Sequence, residues 1–296
     1  MLITGASGFT GMHLIPVLRN LGYETVGLGR SHSSADADIK CDINNSEDLK
    51  KNILAIHPTH AIHLAGISFV NENDARAYYD INLFGTLNLL ESLASLPKAP
   101  IKTIVASSAN VYGAPSVEQI EESICPAPIN HYACSKLAME HMVRTWYGKL
   151  KIVQVRPFNY TGSGQNRRFI IPKIVDHFVN RKEQIELGNI DVRRDYSDVR
   201  DVVTAYAKLL ESDVHSDEFN ICSGKAYSLY EILNLAGMIT GHKLAIRINQ
   251  DLIRENEISV LRGSNRKLNQ YVGYAPQYDF FDTLEWIIRE SISTTP

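Results

Sequence analysis

A doubly wound parallel α/β sheet, with a smaller α/β part interleaved toward the C-terminus, is the fold class that this sequence predicts. Three observations carry it. The chain opens on Leu2-Ile3-Thr4-Gly5-Ala6-Ser7-Gly8-Phe9-Thr10-Gly11. That stretch reads as a short apolar strand, a tight turn with glycines at 5, 8 and 11, and the first turn of a helix. Apolar strand-like runs then alternate with amphipathic stretches through the first half, which implies parallel strands joined by crossover helices. Finally, 296 residues with 44% hydrophobic and 21% charged side chains suffice for a sizeable core.

Taken in order, strands are expected at Met1–Thr4, Glu24–Leu28, Asp38–Cys41, Ala61–Leu64, Thr103–Ser107 and Ile152–Val155. Helices are expected over Ser46–Ile56, Ala75–Leu96 and Tyr132–Tyr147. Pro16 falls inside the first expected helix, where its ring removes a backbone donor and predicts a kink. The second half is less regular. Pro157–Arg168, rich in Gly, Asn, Thr and Arg, reads as a loop, and a helix follows from Ile170 to Val179. Ser228-Leu229-Tyr230-Glu231 has the form of a capping box and should start another helix. A last helix is expected over Asp282–Glu290. No repeat, low-complexity stretch or linker separates the halves, so the smaller part should interleave with the larger.

Composition excludes several classes of function. A net charge of -3 offers no global attraction for nucleic acid or a membrane, so any anionic ligand needs local arginines. Cys41, Cys125, Cys134 and Cys222 are scattered, with no C-x-x-C pair. They suggest free thiols in a reducing compartment, with no disulfide frame and no metal site. No apolar run approaches membrane-spanning length. The glycine turn begins at residue 5, leaving no room for a cleavable leader, and a cytoplasmic location is expected.

Three constellations carry chemistry. In the opening turn one glycine permits the sharp bend, a second lets backbone approach a pyrophosphate, and a third lets helix pack close to strand. The following helix offers free N–H groups and a positive dipole end to phosphates. Three glycines alone also fit a strand-turn-helix without ligand. Tyr132 and Lys136, four residues apart, share one face of a helix. An ammonium there favours ionisation of the phenol and tunes it as a general acid or base. Taken alone, the same spacing is a common aromatic–cation pair on a surface helix. Ser107 and Ser108 end a strand where such sheets bind ligands, and Ser108 is placed to bond a substrate oxygen beside Tyr132. A polar loop capping its own backbone is the plainer alternative.

These residues resemble the extended short-chain dehydrogenase/reductase superfamily, in its nucleotide-sugar-modifying branch. The matching pieces are Gly5, Gly8 and Gly11; Asp42; His63-Leu64-Ala65-Gly66; Asn82 in Asn-Leu-Phe-Gly; Ser107-Ser108; and Tyr132 with Lys136. They continue through Arg156-Pro157-Phe158-Asn159, Arg194-Asp195-Tyr196-x-Asp198-Val199-x-Asp201 and Arg254-x-x-Glu257. Each is weak alone; the ordered set spans almost the whole chain.

The resemblance implies a Rossmann domain over 1–160, with 190–215 returning to it, and a nucleotide-sugar part over 161–189 and 216–296. It implies that Tyr132 gives a proton to the sugar oxygen, Lys136 holds the nicotinamide ribose, and Ser108 orients the sugar oxygen. Cofactor contacts are implied for Gly5, Ser7, Gly8, Phe9, Thr10, Gly11, Asp42, Ile43, Leu64, Ala65, Gly66, Asn82, Ser107, Tyr132, Lys136, Pro157 and Phe158. Asp42 would lie near the adenine, and Asn82 would support the active-site helix. Ser108, Asn110, Asn159, Arg194, Arg254 and Glu257 would face the substrate, with Asn159, Arg194 and Arg254 on its diphosphate. Guanidinium groups suit that task because they clamp phosphate bidentately. Alternatively, Arg193, Arg194 and Arg200 form surface pairs with Asp191, Asp195, Asp198 and Asp201. The helices at 75–96 and 132–147 resemble the pair that forms a four-helix homodimer interface in this superfamily.

Small differences bear on the reaction. Dehydratases that this chain resembles place a Glu two residues past the catalytic hydroxyl, where this chain has Asn110; the related epimerase-reductases place a Cys where it has Ala109. Neither residue can take a proton from carbon. A 4-keto reductase or a 4-epimerase remains, with a dehydratase disfavoured. The stretches from Gly188 to Asp201 and from Gly263 to Leu268 resemble GDP-6-deoxy-4-keto-D-mannose reductases, the GDP-D-rhamnose-forming group. Surface polysaccharide synthesis is the pathway expected on that resemblance. A nucleotide-binding sensor is the non-enzymatic alternative. After the second strand stands Arg30, where an acidic residue would favour NAD. Arg30 suits a 2′-phosphate, so NADPH is expected over NADH; stacking on the adenine is its plainer use.

Overall fold

The computed structural model describes residues 1–68, 74–253 and 258–293. Strand β1 (Leu2–Thr4) leads through the glycine turn into helix α1 (Phe9–Asn20), followed by β2 (Val26–Gly29) and β3 (Ala37–Lys40). Helix α2 (Ser46–Ile56) and β4 (His60–His63) come next. The helix expected over 75–96 is three pieces: α3 (Ala75–Tyr79), a π-helical turn (Asp80–Gly85) and α4 (Thr86–Ala94). Then come β5 (Lys102–Ala106), α5 (His131–Arg144) and β6 (Ile152–Pro157). Helix α1 continues through Pro16 to Asn20; Met12 and Pro16 are both exposed, so the bond the ring forfeits falls on the solvent side.

All these strands are parallel and lie in the order β3-β2-β1-β4-β5-β6. The order reverses beside β1, which creates the crevice where doubly wound sheets hold ligands. Side chains alternate between two helical layers, as a period of two requires. Ile3, Ile62 and Ile104 meet Leu14, Ile15 and Leu18 on one face. Leu2, Ala61 and Val105 meet Leu49, Ile53, Leu89 and Met139 on the other.

The rest of the chain crosses between the two parts. Strand β7 (Asn159–Thr161) lies inside the expected loop and is followed by α6 (Ile170–Val179), β8 (Gln184–Leu187), β9 (Arg193–Asp198) and α7 (Val199–Glu211). Next are β10 (Asp217–Ile221), β11 (Ala226–Ser228), α8 (Leu229–Thr240), β12 (Ala245–Ile248), β13 (Val260–Leu261), α9 (Arg266–Val272) and α10 (Phe280–Ser293). Strand β9 is the hub of a small sheet with β7, β11 and β13. Helix α7 returns to the main sheet, packing Val199, Val202 and Tyr206 against the layer of α1. The domain boundaries expected from the sequence need two corrections. Within 190–215 only α7 rejoins the main sheet, while β9 stays in the small one. Strand β10, expected in the smaller part, is the seventh strand of the main sheet, beside β6. Its sequence, Asp-Glu-Phe-Asn-Ile, alternates as an edge strand does. Helix α8 begins with the reciprocal capping box read from Ser228 and Glu231.

Among the described residues no helix is long and apolar enough to cross a membrane, and no three of His, Cys, Asp or Glu are grouped to hold a metal ion.

Candidate active site

The opening turn is built as a cradle. Gly5 has φ +70°, and a Cβ there would lie 2.7 Å from the Ala65 nitrogen. A Cβ on Gly11 would lie 2.2 Å from the Ala6 carbonyl oxygen, so α1 packs against the turn only without one. The Gly8 amide donates to the Gly5 carbonyl at 2.9 Å and closes the bend. Helix α1 starts with no side-chain cap and no acidic residue in its first turn. Ser7, Phe9 and Thr10 therefore surround an N-terminus whose backbone donors and positive dipole end meet no competing anion. Thr10 Oγ1 and the Tyr160 hydroxyl are 2.7 Å apart, and the Phe9 ring stacks on Tyr160. This cradle fits a pyrophosphate.

The other expected cofactor positions fall on the same edge, past the ends of neighbouring strands. Arg30 follows β2 and is exposed. Asp42 follows β3, is exposed, and accepts the Asn44 amide at 3.0 Å. Ile43 is buried, and its carbonyl accepts from the Asn88 side chain. Leu64, Ala65 and Gly66 follow β4; the Leu64 amide donates to the Thr4 carbonyl and the Ala65 amide to Thr4 Oγ1. Two positions are turned to structural tasks. Ser107 Oγ donates to Glu140 Oε1 at 2.5 Å, and Phe158 is buried against Tyr112, next to Pro157 at the end of β6.

Helix α5 presents Tyr132, Lys136 and Glu140 at successive turns, all buried. Asn130 caps it, its Oδ1 accepting the Ala133 amide at 2.9 Å. The Ser108 side chain lies close enough to the Tyr132 phenol to act on it. Burial pushes the phenol up to about 12, the Ser108 side chain opposing. Lys136 Nζ donates to the Ala106 carbonyl at 2.8 Å. Burial pushes this ammonium down to about 8, and Glu140 opposes that shift. The expected lowering of the phenol by Lys136 is thus corrected: desolvation governs both groups, and the ammonium is spent on a strand carbonyl.

The π-helical turn explains Asn82. Its wider spiral brings this fully buried side chain inward, where Oδ1 accepts the Ile67 amide at 3.0 Å and Nδ2 donates to Ser135 Oγ at 3.0 Å. A Cβ on Gly66 would lie 2.8 Å from Asn82 Oδ1 and 3.3 Å from Lys136 Nζ. Asn82 thereby joins the loop after β4 to the helix that carries Tyr132.

On the substrate side, Asn159 opens β7 opposite Tyr196 of β9, with Arg194 two residues back along β9. Arg194 Nη1 donates to the Ile258 carbonyl at 2.6 Å and to the Arg193 carbonyl at 3.0 Å. Arg254 and Glu257 lie outside the described residues. Arg200 does pair with Asp198 at 2.7 Å, but on a buried carboxylate, while Arg193 pairs with Glu231 at 3.1 Å. Asp195 instead accepts the backbone amides of Ser223, Gly224 and Gly263, and Asp201 those of Gln277 and Tyr278.

Sequence reasoning missed two buried networks. The Arg156 guanidinium clamps Glu140 bidentately, Nε to Oε1 at 2.9 Å and Nη2 to Oε2 at 2.6 Å. Arginine in the fully buried strand run Ile-Val-Gln-Val-Arg-Pro was the available signal. His63, without assigned chemistry in the sequence, is 2% exposed, its ring nitrogens 2.6 Å from Thr4 Oγ1 and 2.8 Å from Thr86 Oγ1. Burial pushes it down to about 3.

The family model for GDP-mannose 4,6 dehydratase matches residues 2–287. A GDP-6-deoxy-D-talose 4-dehydrogenase from Aggregatibacter actinomycetemcomitans is 35% identical over 274 residues, covering 92% of this chain and 91% of that protein. A GDP-6-deoxy-D-mannose reductase from Pseudomonas aeruginosa is 32% identical over 301 residues, covering 98% and 96%. The structure of RMD from Pseudomonas aeruginosa complexed with NADPH superposes with a TM-score of 0.89 at 31% identity, covering 99% of each chain.

Proposed function

Since the chain belongs to the GDP-mannose 4,6-dehydratase family of extended short-chain dehydrogenase/reductases, we propose that it reduces the C4 ketone of GDP-4-keto-6-deoxy-D-mannose with NADPH, forming GDP-D-rhamnose. The chain is an NAD(P)-dependent oxidoreductase of nucleotide sugars. One observation carries the finer reading. Ser108 and Tyr132 meet at the end of β5, yet Ala109 and Asn110 occupy the positions where a base for proton removal from carbon would stand. The site is equipped for chemistry at one carbonyl and lacks the residue for elimination.

When bound, the nicotinamide supplies a hydride for the ketone carbon. Tyr132 gives its phenolic proton to O4, and Ser108 holds that oxygen in line. Lys136, anchored on the Ala106 carbonyl, would hold the nicotinamide ribose. The glycine cradle and the α1 N-terminus hold the pyrophosphate, and Arg30 meets the 2′-phosphate. Asn159 and Arg194 bind the substrate's diphosphate, an assignment extended to Arg254. The two related names describe one kind of bond change, because talose and mannose differ at C4. Which face of the ketone faces the nicotinamide decides between the two products. On this reading the enzyme is a homodimer through the faces of α3, α4 and α5. It works in the cytoplasm and supplies surface polysaccharide synthesis.

The test is to incubate the protein with GDP-4-keto-6-deoxy-D-mannose and NADPH. Stoichiometric cofactor oxidation and a rhamno product by proton NMR are expected. No cofactor consumption, together with interconversion of an unoxidised nucleotide hexose, would assign a 4-epimerase instead.

A further inference from the structure

Asn110 stands where related enzymes have a carboxylate, and its amide does something specific. Its side-chain Nδ2 donates to Ser108 Oγ at 3.2 Å, and its backbone N–H donates to the same oxygen at 3.2 Å. A serine hydroxyl has one proton and two lone pairs. With both lone pairs taken by Asn110, Ser108 has only its proton to offer any third group. Ser108 therefore cannot accept a proton from the Tyr132 phenol beside it. The phenol's own proton is left for an acceptor other than Ser108.

We propose that Asn110 is a positioning residue that fixes Ser108 as an obligate donor, so that two O–H groups, those of Ser108 and Tyr132, both point at one carbonyl oxygen. The inference rests on the 4-keto reduction proposed above. A ketone oxygen offers two lone pairs and no proton, so a site for a ketone needs donors only. A serine free to rotate would spend part of its time accepting from Tyr132, which would turn the acid's proton away from the substrate. The backbone donor persists whatever residue stands at 110; the side-chain donor is particular to an amide. The 3₁₀ turn Ala109–Tyr112, which Ser108 starts as N-cap, holds both donors in place.

The test compares Asn110→Ala with Asn110→Asp. Removing the amide while keeping the backbone N–H should lower kcat about three- to tenfold, the worth of one hydrogen bond, at all pH values. The carboxylate in Asn110→Asp is acceptor-only and would draw the Ser108 proton to itself. With that donor turned away from the carbonyl, kcat should fall about a hundredfold. Acidification through the pKa of the introduced carboxyl restores a donor, so kcat of Asn110→Asp should recover toward the wild type as pH falls. KM should change little in either variant. Equal losses in both variants at every pH would overturn the proposal. A second arm needs no substrate. Protein labelled with [¹³Cζ]tyrosine, with Tyr132 assigned through Tyr132→Phe, reports the phenol's hydrogen bonding. In Asn110→Asp the Tyr132 resonance should titrate with the introduced carboxyl and reach the wild-type position at the acid end. A resonance fixed at the wild-type position throughout would sink the inference even if the wild type reduces the ketone. A wild type inert toward every 4-ketohexose nucleotide, with the titration present, would sink only the proposed reaction.

Discussion

Arg156→Met is the substitution whose cost the structure sets most clearly. Arg156 and Glu140 side chains are 1% and 0% exposed, so neither charge is screened by water. Arg156 also donates Nη1 to the Tyr112 hydroxyl at 2.9 Å, and that hydroxyl donates to Asn220 Oδ1 at 2.8 Å. Glu140 keeps only the Ser107 hydroxyl when the guanidinium is gone. Methionine fills much of the volume, so cavity terms stay small and the stranded carboxylate dominates. Breaking a buried pair by removing one partner costs about 3–5 kcal/mol. Domains of this kind hold about 5–15 kcal/mol in all, so the variant should lose a large share of its stability. Equilibrium urea unfolding, followed by circular dichroism and fluorescence together, measures it. The double variant Glu140→Met/Arg156→Met should be more stable than Arg156→Met alone, because it strands no carboxylate, although Ser107 and Tyr112 each lose a partner worth about 1 kcal/mol and the buried Lys136 ammonium loses the opposing charge of Glu140. A loss below about 1 kcal/mol for Arg156→Met, the scale of an exposed pair, would refute the reasoning. So would a double variant less stable than the single one.

Further outcomes follow from the same geometry. Tyr132→Phe should retain NADPH binding by fluorescence titration and lose about a hundred- to ten-thousand-fold in kcat, the usual worth of a positioned proton donor. Gly11→Ala drives a Cβ into the Ala6 carbonyl, which should cost about 1–3 kcal/mol and weaken NADPH binding measured the same way. Arg30→Ala should erode the NADPH-over-NADH ratio of kcat/KM by about ten- to a hundredfold, the worth of a charge-assisted bond; an unchanged ratio would remove the role given to Arg30. His63 is held at about 3 in the folded chain against 6.5 when free, so below pH 6.5 only the unfolded chain takes the proton. Stability should therefore fall as pH drops from 6.5 toward 3, by up to about 4 kcal/mol from this residue. His63→Gln should give a flatter dependence of unfolding free energy on pH across that window.

Much of the architecture was legible because local signals and packing agree. Ser46–Ile56 and Ile170–Val179 fall where the apolar spacing put them, and the box at Ser228 and Glu231 forms with both of its bonds. Six strands of the main sheet appear within two residues of their expected starts, since buried parallel strands are apolar runs whatever their neighbours. The π-helical turn was not legible. Nothing in Asp-Ile-Asn-Leu-Phe-Gly departs from helical patterning; the extra residue per turn is secured by what Asn82 bonds in space. Strand β10 escaped for the opposite reason, because a short edge strand with Asp217, Glu218 and Asn220 does not look apolar. At the site, the residue types were visible and the directions of their bonds were not. Tyr132 and Lys136 share a helix face as their spacing requires, yet the lysine donates to Ala106, a contact that depends on how far β5 reaches.

The acidic segment around β9 shows most plainly why charge patterns mislead. In sequence, Asp195, Asp198 and Asp201 alternate with arginines and suggest solvated pairs. In the fold they anchor the backbone of distant segments. Asp195 takes the amides of Ser223, Gly224 and Gly263 and the Ser223 hydroxyl, and burial still pushes it up to about 6. Asp198 caps α7, pairs with Arg200 and accepts from Thr283 of α10. Asp201 fixes the backbone at 277 and 278, ahead of α10. A carboxylate can accept several N–H bonds at once, which no neutral side chain of its size can do. Strand β9 and the first turn of α7 thus hold four later segments of the chain in place. Arg194 lies on that strand directly before Asp195, so the wall carrying it is set by buried anchors and not by the mobility of a surface arginine. The same carboxylates that make the segment look like a solvated charge run fix where Arg194, the residue proposed for the substrate's diphosphate, stands on the small sheet.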